Sequence, residues 1–162
     1  MSSSATFPGS LGARATVVDS VFTHNDGRGI GVDPPVGATT SIVVERSVIS
    51  NNGQDGFKAN AVVGSQAVAT LSRNAINDNG GNGIWIQGNT TGTAHENVMH
   101  RNSGYGILGD GSVKIFLAAN SAVGNLAGQV FCNSAAGSQF SLGNNLVSAV
   151  VVVTWSFTGS GY

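Results

Sequence analysis

The chain carries one cysteine, Cys132, which excludes an intrachain disulfide and a cysteine-based metal cluster. It lies in the apolar run Val130-Phe131-Cys132, where a thiol reads as buried and unreactive. Charge is almost as scarce: Asp, Glu, Lys and Arg make up 9% of 162 residues, and the formal net charge is −1. There is no basic stripe for nucleic acid or an anionic membrane, so neither is expected as a partner. No apolar run approaches the ~18 residues of a membrane helix. The densest, Val150 to Val153, has the length of a strand. Met1-Ser2-Ser3-Ser4-Ala5-Thr6 lacks the basic and apolar parts of a secretion signal. Prolines number only three against 24 glycines, and without a Gly-X-Y period that excess points to many tight turns.

What the chain has instead is a repeat. Asn25, Asn52, Asn79, Asn102 and Asn125 each stand five residues after a Ser or Asn, namely Ser20, Ser47, Asn74, Asn97 and Asn120. The landmarks are separated by 27, 27, 23 and 23 residues. A Gly-rich turn and an apolar residue follow each of the first four, as in Asn25-Asp26-Gly27-Arg28-Gly29-Ile30 and Asn79-Gly80-Gly81-Asn82-Gly83-Ile84. A fixed period of this length marks a solenoid, in which no unit can bury its apolar face alone.

Counting from each landmark sorts the side chains. Eight residues before it come Val17, Val44, Leu71, Ala94 and Leu117; three before it, Phe22, Ile49, Ile76, Met99 and Ala122; five after it, Ile30, Phe57, Ile84, Ile107 and Val130. With Ala15, Ile42, Ala69, Gly92 and Ile115 at ten before, the two-residue alternation of a strand emerges. About three short strands per coil are expected, and frequent Gly with β-branched apolar residues argues against helices. Repeated Asn at corners suggests stacked carboxamides. Asn74, Asn97, Asn120 and Asn145 would form one ladder, with Ser20 and Ser47 as smaller members, and Asn25 to Asn125 a second, each Asn also supplying the left-handed backbone of its turn.

The pattern N-x-x-N-G-x-x-G-I resembles the right-handed parallel β-helix superfamily, including pectate-lyase-like folds, alginate epimerases and NosD-type proteins. The resemblance runs from about Ala15 to Val147. It implies an all-β, single-stranded right-handed parallel β-helix of about five to six coils, and for some members an extracytoplasmic setting. It implies no activity, because members with unrelated chemistry share the scaffold. The expected single domain has coils over 15–148, an N-terminal cover or truncated coil over 1–14, and a terminal strand or cap over 149–162 that lacks the Asn-Gly turn. Phe140, Leu142, Asn145 and Val147 fit a further coil, whereas Gln129 breaks the fifth by replacing the Gly four after the landmark.

Three regions are candidates for function. The first two coils carry longer connections, Asp33 to Ser41 and Asn60 to Val68, which would build a shelf; mere length variation in a surface loop is the alternative. Around the landmark corner, Asp78 with His100 and Arg101 is the best acid/base constellation, although a polar corner is also what solubility alone produces. Six before the landmark, Asp19 with Arg46 and Arg73 with Glu96 read as surface ion pairs. Six after it, Lys58, Trp85, Leu108 and Phe131, with Tyr105 nearby, form an outward stripe suited to a subunit interface or to sugar rings. No carboxylate cluster for a metal and no carboxylate pair at glycosidase separation is evident, so no metal or other cofactor is expected. The expected function is a non-catalytic structural or binding solenoid that self-associates through the stripe or the C-terminal strand, or binds a polysaccharide. The alternative is a fragment or minimal form of a polysaccharide-processing lyase, epimerase or glycosidase.

Overall fold

A computed structural model describes residues 12–133, 139–141 and 144–147 of the chain. The expectations for 1–11 and 148–162 lie outside the described residues. Three parallel sheets run the length of the molecule. The first holds β1 (Gly12–Val18), β4 (Thr39–Glu45), β7 (Gln66–Ser72), β10 (Thr90–His95), β13 (Lys114–Ala118) and β16 (Gln139–Ser141). The second holds β2 (Val21–Thr23), β5 (Val48–Ser50), β8 (Ala75–Asn77), β11 (Val98–His100), β14 (Ser121–Val123) and β17 (Leu146–Val147). The third holds β3 (Ile30–Val32), β6 (Phe57–Ala61), β9 (Ile84–Gly88), β12 (Tyr105–Asp110) and β15 (Gly128–Asn133). Each strand pairs with the strand one coil away, giving a parallel β-solenoid of about five turns with no helix among the described residues.

The core is made of the expected columns. Phe57, Ile49, Leu71, Ile76, Ile84 and Met99 are fully buried, and Val17, Phe22 and Val130 pack against that cluster at its margins. Burying one such side chain stabilises by roughly 1.5–3 kcal/mol, so the stack gains with every coil. Small residues are matched by large ones. A Cβ at Gly92 would stand 3.0 Å from the Ile86 side chain, and one at Gly109 would stand 2.5 Å from Ile115. Each isoleucine fills the volume that its facing glycine leaves.

Both carboxamide ladders are present. Asn97 Nδ2 donates to Asn120 Oδ1 at 3.0 Å and to the Leu71 carbonyl at 2.9 Å, while Asn97 Oδ1 accepts from the Asn74 backbone N–H and Nδ2 at 3.0 and 2.9 Å. The same four-bond pattern repeats at Asn52, Asn79 and Asn102 in the second ladder. The left-handed backbone, however, belongs to the residue before each ladder member. Asp19, Arg46, Arg73, Glu96 and Ala119 have φ between 48° and 55°; His24, Asn51, Asp78 and Arg101 lie between 52° and 57°. A conformation that costs about 1–2 kcal/mol for a residue with a Cβ is thus adopted twice per coil by chemically unrelated residues. The ladder bonds and the flanking strands hold it there.

The glycines four after the landmarks have a packing reason. A Cβ at Gly56 would lie 2.5 Å from Ile76 Cγ2 and 2.8 Å from Asn79 Nδ2, and Gly29, Gly83 and Gly106 are confined in the same way. The next coil's Asn presses against each of them. In the fifth coil, which carries the last strand of the third sheet among the described residues, Gln129 stands where the glycine would be. Its side chain turns back, and Oε1 accepts from Asn125 Nδ2 at 2.9 Å. Gln129 supplies the carboxamide oxygen that a following coil would have brought, so the break in the pattern is a ladder cap.

One register and the connection lengths differ from the sequence reading. Ile115 pairs with Gln139 and Leu117 with Ser141, one residue before Phe140 and Leu142, because the path from β16 to Asn145 is one residue longer than in earlier coils. The short connections shrink further as the strands extend into them: only Asn89 separates β9 from β10, and Gly111 to Val113 separate β12 from β13. In the first two coils the long connections stack through Gly37 N–H to the Gly64 carbonyl at 2.7 Å, leaving Val36 and Val63 exposed at the tips.

Candidate functional site

Outward polar residues divide into those that spend their polar atoms on one another and those that do not. At the first corner, Arg46 makes a two-bond contact with Asp19, both bonds 2.9 Å, and also pairs with Glu45 at 3.0 Å. Glu45 pairs in turn with Arg73, which reaches Glu96 at 3.8 Å. The two expected pairs are therefore one chain, joined by Glu45. At the second corner Arg101 grips both Asp78 oxygens at 2.7 Å, and its Nη1 donates to His100 Nδ1 at 3.1 Å. The guanidinium hydrogen bonds hold the Asp78 carboxyl below the usual range and raise Arg101. Asp78, His100 and Arg101 come together, but the arginine takes both carboxylate oxygens and stands between Asp78 and the imidazole. A carboxylate so occupied is a poor proton acceptor.

A third polar column, under the Gly turns, was not apparent in the sequence. Asp55 Oδ1 accepts from the Asn82 backbone N–H and Nδ2 at 2.8 and 2.9 Å, and Asn82 Oδ1 accepts from the Tyr105 N–H at 2.8 Å. Its only sequence signal was a short polar residue three after the landmark in two successive coils.

The outer face of the third sheet is different. Lys58, Trp85, Leu108 and Phe131 are register partners in consecutive coils and form one column. Lys58 is only 7% exposed; its ammonium lies 3.2 Å from the Trp85 ring centroid, a cation–π contact. Tyr105 stacks on Phe131 with centroids 5.2 Å apart and planes at 19°. Trp85, Leu108, Phe131 and Tyr105 are half-buried. The stripe covers itself in part, which outward alternation alone does not reveal.

Beside it runs a second column in the same strands: Asn60, Gln87, Asp110 and Asn133. Their side chains make no hydrogen bond or ion pair among the described residues, and all four are partly or fully exposed. No family model, curated protein or solved structure matches this chain. Function must therefore be reasoned from these surfaces. Long connections border the face at the first coils, where Arg28 folds over Gly31 and pairs with Asp33 at 2.8 Å. The arrangement joins a half-buried aromatic and aliphatic row to an uncommitted amide and carboxylate row on a regular sheet. Such a surface offers apolar contact on one side and both hydrogen-bond donors and acceptors on the other.

Proposed function

We propose that this chain is a non-catalytic binding solenoid that holds an extended polysaccharide along the outer face of its third sheet. The observation that carries the reading is the uncommitted column Asn60, Gln87, Asp110 and Asn133 beside Lys58, Trp85, Leu108 and Phe131. Elsewhere on the outer surface the charged corner residues are taken up by their neighbours; here polar groups stay available in a row. Stacked strands repeat every ~4.8 Å, so a polymer lying along the solenoid axis meets equivalent amides at regular intervals. Its apolar ring surface would rest on the edges of Trp85 and Phe131, since Lys58 covers one indole face and Tyr105 covers Phe131. The architectural likeness to pectate-lyase-like β-helices supports a carbohydrate partner by analogy alone.

Affinity electrophoresis against neutral and acidic polysaccharides tests the reading. The wild type should be retarded by at least one polymer, and Gln87→Ala and Trp85→Ala should each weaken retardation several-fold while keeping the wild-type circular dichroism. Failure of every polymer to retard the protein, or unchanged retardation of both variants, would refute it. Turnover of a uronate polymer would favour the enzyme alternative instead.

A further inference from the structure

Two donors on this face have no acceptor. The Lys58 residue is only 7% exposed, and its ammonium, which keeps some contact with solvent, has no hydrogen bond or ion pair among the described residues and lies over the Trp85 ring. Trp85 Nε1 is buried and likewise without a partner. Native structures rarely leave a buried indole N–H unmet. Because the ammonium sits on the indole itself, the two orphan donors lie side by side. Arg28, one coil before Lys58, adds a second positive charge, partly offset by Asp33. Asp55, Asp33 and Asp110 act on Lys58 electrostatically, but none forms an ion pair with it; Asp55 Oδ1 accepts from Asn82, and Asp33 is paired with Arg28. Burial first, and Arg28 second, push the Lys58 pKa down against the smaller opposing pull of Asp55, Asp33 and Asp110.

We infer that Lys58, the Trp85 indole N–H and Arg28 form a subsite for one oxyanion, a carboxylate or sulfate group carried by the bound saccharide. In the free protein Lys58 lies over Trp85 as a cover; an arriving oxyanion accepts from the ammonium, and the side chain swings off the ring to expose Nε1. The inference rests on the polysaccharide reading and adds direction to it. The charged group of the ligand binds at the second and third coils, and its uncharged part extends toward Leu108 and Phe131.

Two measurements separate this subsite from the strip as a whole. In the first, the Trp85 indole N–H resonance, assigned with Trp85→Phe, is followed during titration with acetate and with sulfate. It should move saturably in the wild type and stay still in Lys58→Met, which keeps an unbranched cover but no charge. A resonance that stays still in the wild type, or moves equally in the variant, overturns the subsite whatever the saccharides do. In the second, calorimetry compares neutral, carboxylated and sulfated oligomers of one backbone. The charged oligomers should bind about tenfold more tightly, with that preference lost in Lys58→Met. The ranking of carboxylated against sulfated oligomer identifies the oxyanion. Equal binding of charged and neutral oligomers overturns the subsite and leaves the strip standing. No binding of any oligomer sinks the strip, and the resonance then decides the subsite alone.

Discussion

Replacing Asn97 by Ala should be among the most damaging single changes outside the apolar core. Asn97 is 0% exposed, and its carboxamide makes four hydrogen bonds, all between 2.9 and 3.0 Å. At a net ~1 kcal/mol per bond, about 4 kcal/mol is at stake. The losses are unequal. Asn74 Nδ2 keeps the Val44 carbonyl and Asn120 Oδ1 keeps the Asn97 backbone N–H, but the Asn74 backbone N–H is left with no other acceptor among the described residues in a buried corner. A stranded donor of this kind costs about 1–3 kcal/mol in place of its bond's ~1, so with the other three bonds the expected loss is roughly 4–6 kcal/mol. Asn25 is the control. It is half-exposed, and its side chain contributes one ladder bond, 2.8 Å to Asn52 Oδ1, which the Asn25 backbone N–H also donates to. Asn25→Ala should cost only about 1 kcal/mol. Urea unfolding followed by circular dichroism measures both, with m-values compared because repeat arrays can lose cooperativity. Equal losses at the two positions, or a loss below about 1 kcal/mol at Asn97, would refute the view that the ladder's strength lies in its closed interior.

Ala119→Gly should stabilise by about 1 kcal/mol, since φ is 52° there and the left-handed penalty removed exceeds the entropy glycine adds; thermal melting reads it. Gln129→Ala should cost about 2 kcal/mol in the same urea assay by leaving Asn125 without its cap. Asp78 has its pKa depressed by Arg101, so its contribution is present above the ordinary carboxylate range and is lost as pH falls through the lowered folded value. Asp78→Asn should therefore cost a small amount of stability at neutral pH and nothing below the lowered folded value, flattening part of the acid limb below about pH 4, an effect that salt should shrink. Burial pushes the Cys132 thiol up to about 11, so a thiol-specific reagent at pH 8 should label the native protein far more slowly than the urea-unfolded chain. Fast native labelling would show that the β15 end of the core is open.

The solenoid was legible because its rule is written in residue type: aliphatic columns, carboxamides at corners and glycines where coils crowd. Its left-handed corners were not, since Asp19, Arg46, Arg73, Glu96 and Ala119 share a backbone angle and nothing else. Gln129 was visible as a departure, but its meaning required seeing its side chain turn back to Asn125. The stripe was readable as a column, while its burial depends on where Lys58 and Tyr105 lay their long side chains across coils. The available amides of Asn60, Gln87 and Asn133 escaped notice because Asn and Gln on a solvent face look like ordinary polarity until the corner groups are seen to be mutually satisfied.

The ladders also give the molecule a sense of direction. From Asn25 to Asn102, and from Asn74 to Asn120, each Nδ2 donates a hydrogen to the carboxamide oxygen of the next coil, and never the reverse. One end of the second ladder therefore offers oxygen, at Asn25, and Gln129 closes the other with the oxygen it needs. Two copies brought together by their first coils would set carbonyl against carbonyl. The stack is a one-way thread: it can be lengthened only head to tail, and in the second ladder only after Gln129 has been moved aside.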